Sequence, residues 1–229
     1  MADVLLGDAP VVETVAHASR TGAWWADLIL APSTAPDLGA QLTMTLLGTA
    51  YLGTVQRVRT YVDRVTVRLV AGGAGLSKQA GPLAYQGTPL VTPWLDVLAA
   101  VGETSDPTSD TAALGAALVQ RWYTLQAPAG TLLDVLADQV GRLRLPPDDD
   151  NPYVWRVLPA GGVWLGREDW QEYAGSVVSL AAFPQEAREL VSCERGDLLP
   201  GLTYQGRQIS RVQVEVCPDS VRQTLWYEG

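Results

Sequence analysis

Histidine and cysteine are scarce in this 229-residue chain, which has one His and two Cys. His17 lies in an N-terminal stretch with no Cys or acidic pair beside it. A Ser-His-Asp mechanism would have to run through that one residue, so His17 reads as a surface or satisfied polar side chain. Cys193 and Cys217 form no Cys-x-x-Cys pattern, and a zinc site needs more ligands. Both fall in expected strands. Two buried free thiols is the preferred reading, and a cross-strand disulfide is the other. Charge is scarce too: 18% of residues are charged, against roughly a quarter in ordinary domains. With a net charge of −9 and no basic run, the surface is not built to grip nucleic acid. No apolar run approaches the ~20 residues of a membrane span. No charged segment followed by an apolar stretch opens the chain. The expectation is synthesis in the cytosol, with no membrane partner.

Several patterns invite catalytic or binding readings and fall short of them. Gly72, Gly73 and Gly75 suggest a phosphate loop, but Leu76, Ser77 and Lys78 follow where Gly-Lys-Ser/Thr is needed. A glycine turn where the backbone crosses tightly accounts for them better. The triplet Asp148, Asp149 and Asp150 lacks the alternating ligands and closing Glu of a calcium loop, and reads as a solvated turn beside Pro147. Glu168 with Asp169, or Asp134 with Asp138, are carboxylate pairs of the kind glycosidases use. Such pairs arise by chance in any acidic chain. The chain is therefore expected not to be an enzyme, with no catalytic residue, no cofactor and no metal.

What is present is apolar and aromatic. Hydrophobic residues make up 47%, and there are eight Trp. Low charge with many Trp suggests surface buried against neighbours, because Trp and Tyr are preferred interface anchors. Core packing is the competing explanation for each Trp. Strand patterns dominate. Trp24 to Leu30 is a strand candidate. Gln41 to Leu47 alternates, Tyr51 to Arg59 reads as its hairpin partner, and Val62 to Val70 follows. Residues 1–22 read as irregular, with one short strand around Val11, Val12 and Val15. After a turn-rich stretch from Gly81 to Pro93, Trp94 to Val101 has helical spacing. Gly102 to Asp110 reads as a polar internal linker. Ala112 to Val119 is a weak helix and Arg121 to Gln126 a strand. Thr131 to Gly141 is the strongest helix, with Thr131 as cap and Gly141 as stop. Short strands at Tyr153 to Leu158 and Val163 to Leu165 flank a Pro-Ala-Gly-Gly turn. Further strands fall at Val177 to Ala181, Leu190 to Glu194, Leu202 to Gln205, Gln208 to Val216 and Val221 to Tyr227.

The expected fold is mainly β: two barrel-like antiparallel β-domains with a short helical and hairpin insertion. The limits are 1–80 for the first barrel, 81–170 for the mixed middle and 171–229 for the second barrel. Strands can be shared across these limits. One binding-module reading competes. Trp24, Trp25, Trp155, Trp164 and Trp170 could line a carbohydrate-binding face used in host recognition. Their settings in short strands favour core or subunit interface instead.

Three segments together carry a family resemblance. LGTVQRVRTYVDRVTVRLVAGGAGLSKQAGPLAYQG (52–87) resembles the end of the first barrel of a bacteriophage tail baseplate hub. The helix at 131–141 followed by WRVLPAGGVWLG (155–166) resembles the hub's middle region. DLLPGLTYQGRQISRVQVEV (197–216) resembles its second barrel. The same family includes the late control protein D group and the base of type VI secretion spikes. The resemblance implies a virion structural protein, a homotrimer whose six barrels form a ring joining tail tube to central spike. Implied partners are the tail tube or distal tail protein, the spike protein, and baseplate wedge or tape-measure proteins. DNA would pass through the channel without specific binding, and an acidic lumen would suit that passage. Contractile-tail hubs are often longer, and this chain stops soon after its second β-group, so the spike is expected to be a separate protein. The expected structural residues are Trp155 and Trp164, anchoring the middle hairpin, and Pro200, Gly201 and Gly206, shaping turns of the second barrel.

Overall fold

The structure, a computed structural model, describes residues 4–31, 35–145, 151–193 and 195–228. The acidic triplet 148–150 and Glu194 lie outside them. The chain divides into two compact units. One is formed by the chain up to Ala71 together with the chain from Asp169 onward, and the other by Gly72–Glu168.

Six strands open the first unit: β1 (Val4–Leu6), β2 (Ala9–Ser19), β3 (Trp25–Leu30), β4 (Gln41–Leu46), β5 (Thr49–Thr60) and β6 (Val65–Ala71). They pair antiparallel in the order β1-β4-β5-β6-β3-β2, and β1 also pairs with β2. The sheet thus closes into a six-stranded barrel, which removes its edges. The closure follows from period-2 patterning. In β3, Ala26, Leu28 and Leu30 are buried, and in β6 so are Val65, Val67, Leu69 and Ala71. Gly53 in β5 is set by close packing: a Cβ there would meet the Val70 carbonyl oxygen at 2.8 Å and the Trp24 ring at 2.9 Å. Gly53→Ala should therefore cost about 2 kcal/mol by overpacking, readable as a lower denaturant midpoint.

β2 corrects the expectation of an irregular N-terminus. It runs for 11 residues. Its inward positions are Thr14 and Ala16, one polar and one small, and its register shifts between Val11 and Glu13. Those features hide the hydrophobic alternation by which strands are recognised. The Thr14 hydroxyl is satisfied by donating to the Asp27 carbonyl at 3.1 Å.

The Gly72–Glu168 unit contains β7 (Gln79–Ala80), β8 (Leu83–Pro89), α1 (Val91–Val101), α2 (Thr111–Ala116), β9 (Leu118–Thr124), β10 (Ala127–Pro128), α3 (Ala129–Arg144), β11 (Val154–Val157) and β12 (Val163–Gly166). The strands pair as three small hairpin-like sheets, β7 with β10, β8 with β9, and β11 with β12. Leu132, Leu133, Leu136 and Val140 of α3 form a buried stripe, and α3 packs against α1, α2 and β11, which bury Trp94, Leu98, Leu114 and Trp155. α3 is longer at both ends than its sequence signals suggest. Its first amides are satisfied by main chain, Ala129 N–H donating to Lys78 O at 3.0 Å and Gly130 N–H to Leu76 O at 2.9 Å. No side-chain cap is needed, so Thr131 sits inside the helix rather than at its start. Gly141 is likewise internal.

The segment 102–110 is not a linker. Glu103, Asp106 and Ser109 are buried within this unit. Asp110 caps α2, accepting from Ala113 N–H at 2.9 Å, and Tyr153 donates to its other oxygen at 2.9 Å.

The chain then returns to the first unit with β13 (Val177–Phe183), β14 (Arg188–Cys193), β15 (Thr203–Tyr204), β16 (Arg207–Cys217) and β17 (Ser220–Tyr227). Their order continues from β2 as β16-β17-β14-β13, with β15 on β16. Six residue pairs, from Arg211↔Ser19 to Val216↔Thr14, join β16 to β2. One strand therefore serves both β-groups. Val191, Cys193, Ile209, Val212, Val214 and Leu225 fill the inner face of the second group. The fold is mainly β, as the sequence predicts. Both cysteines are free, with Cys193 buried and Cys217 exposed. The buried placement expected for Cys217 fails because its side chain follows the outward parity of β16 at the strand's end.

Candidate assembly surface

Among the described residues, the glycine loop and three of the carboxylates singled out in the sequence are engaged within the protein's own structure. The glycine loop does bind an anion, the protein's own. Glu103 accepts from Gly73 N–H at 3.0 Å and from Gly75 N–H at 2.6 Å. A Cβ on Gly75 would lie 2.2 Å from the Val101 carbonyl oxygen, so the backbones cross as tightly as expected. Glu168 is buried and paired with Arg156. Asp134 accepts from the Trp155 indole at 2.7 Å, and Asp138 pairs with Arg142 at 2.8 Å.

Trp155 is buried in β11, and Trp164 lies opposite Arg156 in β12 with that guanidinium over its ring. Pro200 and Gly201 lie in the turn before β15, where Gly201 N–H donates to Ile209 O at 2.9 Å. Gln205 and Gly206, at φ 52° and 74°, make the two-residue turn between β15 and β16, the geometry of a primed hairpin turn. Of the five tryptophans weighed as a sugar platform, Trp24 and Trp155 are buried. Trp25, Trp164 and Trp170 each lie under an arginine: Arg68, Arg156 and Arg20.

The more continuous feature is the outer face of the sheet from β5 and β6 through β3, β2, β16, β17 and β14 to β13. Registers fix its rows. One row runs Trp25↔His17↔Gln213↔Thr224↔Leu190↔Ala181 across six strands. A neighbouring row runs Ser19↔Arg211↔Trp226↔Arg188↔Phe183. A third pairs Arg57↔Arg68↔Asp27↔Val15↔Glu215↔Arg222.

Side chains in these rows hold one another. His17 stacks on Trp25 at 3.9 Å between centroids, and Arg68 covers the same ring at 4.0 Å. Arg211 lies over Trp226 at 3.8 Å, and Arg188 over Phe183 at 4.5 Å. Arg57 and Arg68 are directly opposite, a like-charge pairing that costs energy unless bridged. Asp27 bridges it, with two 2.5 Å bonds from Arg68 and an Arg57 nitrogen at 3.9 Å.

His17 sits half-buried in this face. Burial, and then the positive charges of Arg211 and Arg68, lower its pKa from 6.5, against smaller opposing effects of Asp27 and Glu215. In the folded state it stays neutral where the unfolded chain takes up a proton. Its contribution to stability is complete above about pH 6.5 and is lost as the pH falls through the lower folded-state value. Stability should therefore decline below pH 6.5, and His17→Asn should flatten that part of a pH–denaturation profile.

Sequence reasoning did not select these residues as a group, although their parity was available. Trp25 shares the outward phase of Asp27 in WADLIL, and Arg211, Gln213 and Glu215 alternate with three buried valines. What the sequence does not contain is the β2–β16 pairing that makes one face of two groups.

No family model matches the chain, and no curated protein matches it in sequence. Solved structures do match in fold. The 43 kDa tail protein of prophage MuSo2 from Shewanella oneidensis superposes with a TM-score of 0.67 at 10% identity, covering 98% of this chain and 95% of that one. A tail protein from Neisseria meningitidis MC58 gives 0.63 at 10% identity, covering 99% and 95%. The E. coli c3393 protein gives 0.58 at 13% identity, covering 99% and 77%. It is described as a type VI secretion component with structural similarity to T4 bacteriophage tail proteins gp27 and gp5. At these identities the likeness is one of fold: this chain has the two-group β architecture found in phage tail proteins.

Proposed function

We propose that this protein is a structural, non-enzymatic component of a phage-type tail. Within it, the chain acts as the baseplate hub that joins the tail tube to the central spike. The observation that carries the reading is the fold itself, two antiparallel β-groups fused through β2 and shared along almost the whole chain with tail proteins. Three copies, each presenting two β-groups, would offer six β-groups around one axis. Such an arrangement meets a sixfold tube on one side and a threefold spike on the other. Its partners would be its own copies, the tube or distal tail protein, a spike, and wedge or tape-measure proteins. DNA would pass through the ring without specific binding.

Negative-stain images of the purified protein test this directly. Class averages should show a ring with threefold symmetry and six lobes; particles with no central opening would contradict the proposal. The chain should also fail to retain duplex DNA at ~0.15 M salt, since net charge −9 opposes phosphate binding. A gel-shift at micromolar protein would contradict the non-binding channel.

A further inference from the structure

A cleft of about 330 Å³ opens on the outer side of the first barrel, across β5, β6, β3 and β2, within the size range of ligand clefts. Arg57 and Arg59 of β5, with Tyr61 just beyond, form one wall, and Glu13 of β2 stands at the other. Registers fix the distance between the walls. Arg59 pairs with Thr66, Thr66 with Ile29, and Ile29 with Glu13. Three inter-strand spacings of about 4.8 Å therefore separate the cation from the carboxylate, roughly 14 Å in all. Between them the floor is Thr66 and Ile29, which are short and uncharged.

Both walls carry charge that the barrel itself leaves open. Each oxygen of Asp27 is taken by Arg68 at 2.5 Å, while the nearest Arg57 nitrogen is 3.9 Å away. Asp27 thus neutralises Arg68 and holds Arg57, whose side chain is 52% exposed, only at long range. Arg59 and Glu13 have no side-chain hydrogen bond or ion pair among the described residues. The hairpin tip beyond Tyr61 adds one charge of each sign, Asp63 and Arg64. The two walls do not neutralise each other, because their separation exceeds the screening length of about 8 Å at physiological salt.

An extended polypeptide fits this spacing. Residues i and i+4 of a strand point to the same side and lie about 13 Å apart. An acidic residue at i meets Arg57 and Arg59, two outward positions of one strand whose guanidinium forks can share a carboxylate. A basic residue at i+4 meets Glu13, and the side chain at i+2 rests on Thr66 and Ile29. A nucleic-acid strand suits the cleft poorly. Every repeat of it is anionic and would face Glu13 as well as a net charge of −9.

We propose that this cleft is the docking site for an extended segment of a partner protein that carries an acidic and a basic residue four positions apart. Charge and spacing identify the occupant: two guanidiniums at one wall, one carboxylate at the other, and an uncharged floor between them. Every lining residue belongs to the first barrel of one chain, so the site is complete without a second copy.

The probe is the end-blocked peptide Gly-Glu-Val-Thr-Val-Lys-Gly, titrated into the isotope-labelled full chain. Backbone amide NMR shifts follow binding and also show that each variant is folded. Companion peptides replace its Glu or its Lys by Gln. The expected result is saturable shifts confined to β5, β6, β3 and β2, with a Kd below ~1 mM. Arg59→Gln should weaken the parent peptide at least ~5-fold and leave the peptide lacking Glu unaffected, and Glu13→Gln should behave in the same way towards the peptide lacking Lys. Arg222→Gln, outside the cleft, should change neither. No saturable shift at ~10 mM peptide, or variant losses that simply add to those of the Gln peptides, would overturn the inference. A thymidine hexanucleotide that shifts the same amides at lower concentration than the peptide would also overturn it and assign the cleft to nucleic acid. Each of these results leaves the hub reading in place.

Discussion

Glu103→Ala should lower the stability of the Gly72–Glu168 unit by about 3 kcal/mol, the largest effect expected from any carboxylate in it. The side chain is 6% exposed and accepts from two backbone amides, Gly73 at 3.0 Å and Gly75 at 2.6 Å. Charge-assisted bonds to a buried carboxylate contribute about 1.5–3 kcal/mol each, and an amide left without a partner costs its desolvation. The loop packs directly on the Val101 and Gly102 carbonyls. Glu103→Gln keeps one good acceptor and should lose roughly half as much. Chemical denaturation of both variants measures this, and a cost under ~1 kcal/mol for Glu103→Ala would show that the loop is held by packing alone.

Trp155→Ala should cost about 4 kcal/mol, in the range for deleting a large buried aromatic. The ring is 4% exposed. Its indole N–H donates to Asp134 of α3 at 2.7 Å, so one side chain ties the β11–β12 hairpin to the helix. Trp155→Phe retains most of the buried area and loses the hydrogen bond, for a cost of about 1 kcal/mol. The ratio of the two separates burial from the tether. Trp164, on the opposite face of the hairpin under Arg156, should tolerate alanine with a smaller loss.

Much of the fold was legible because most strands alternate cleanly. WADLIL, QLTMTL and RVQVEV each expose one face and bury the other. The legible elements were therefore those whose inward residues are large. β2 was not legible, because Thr14 and Ala16 give no hydrophobic signal and a bulge breaks its phase. β8 was hidden in the same way by Gly87 and by an exposed, mixed sequence. The acidic stretch 102–110 misled for the opposite reason. Glu103, Asp106 and Ser109 look solvated in sequence, but they are buried because each finds backbone donors or acceptors. The arginine–aromatic outer face is a product of pairing between distant segments. Arg68 and Arg211 are far apart in sequence, and only the junction of β2 with β16 puts them on one face. Outward parity could have marked the individual residues, but not their union.

The account stands most directly on the number of chains in the assembled particle. Light scattering on the purified protein at several concentrations measures that number without assumptions about shape. The hub reading predicts a stable particle of three times the mass of the chain, unchanged over the concentration range. A strict monomer, or a dimer that does not proceed to a trimer, would contradict it.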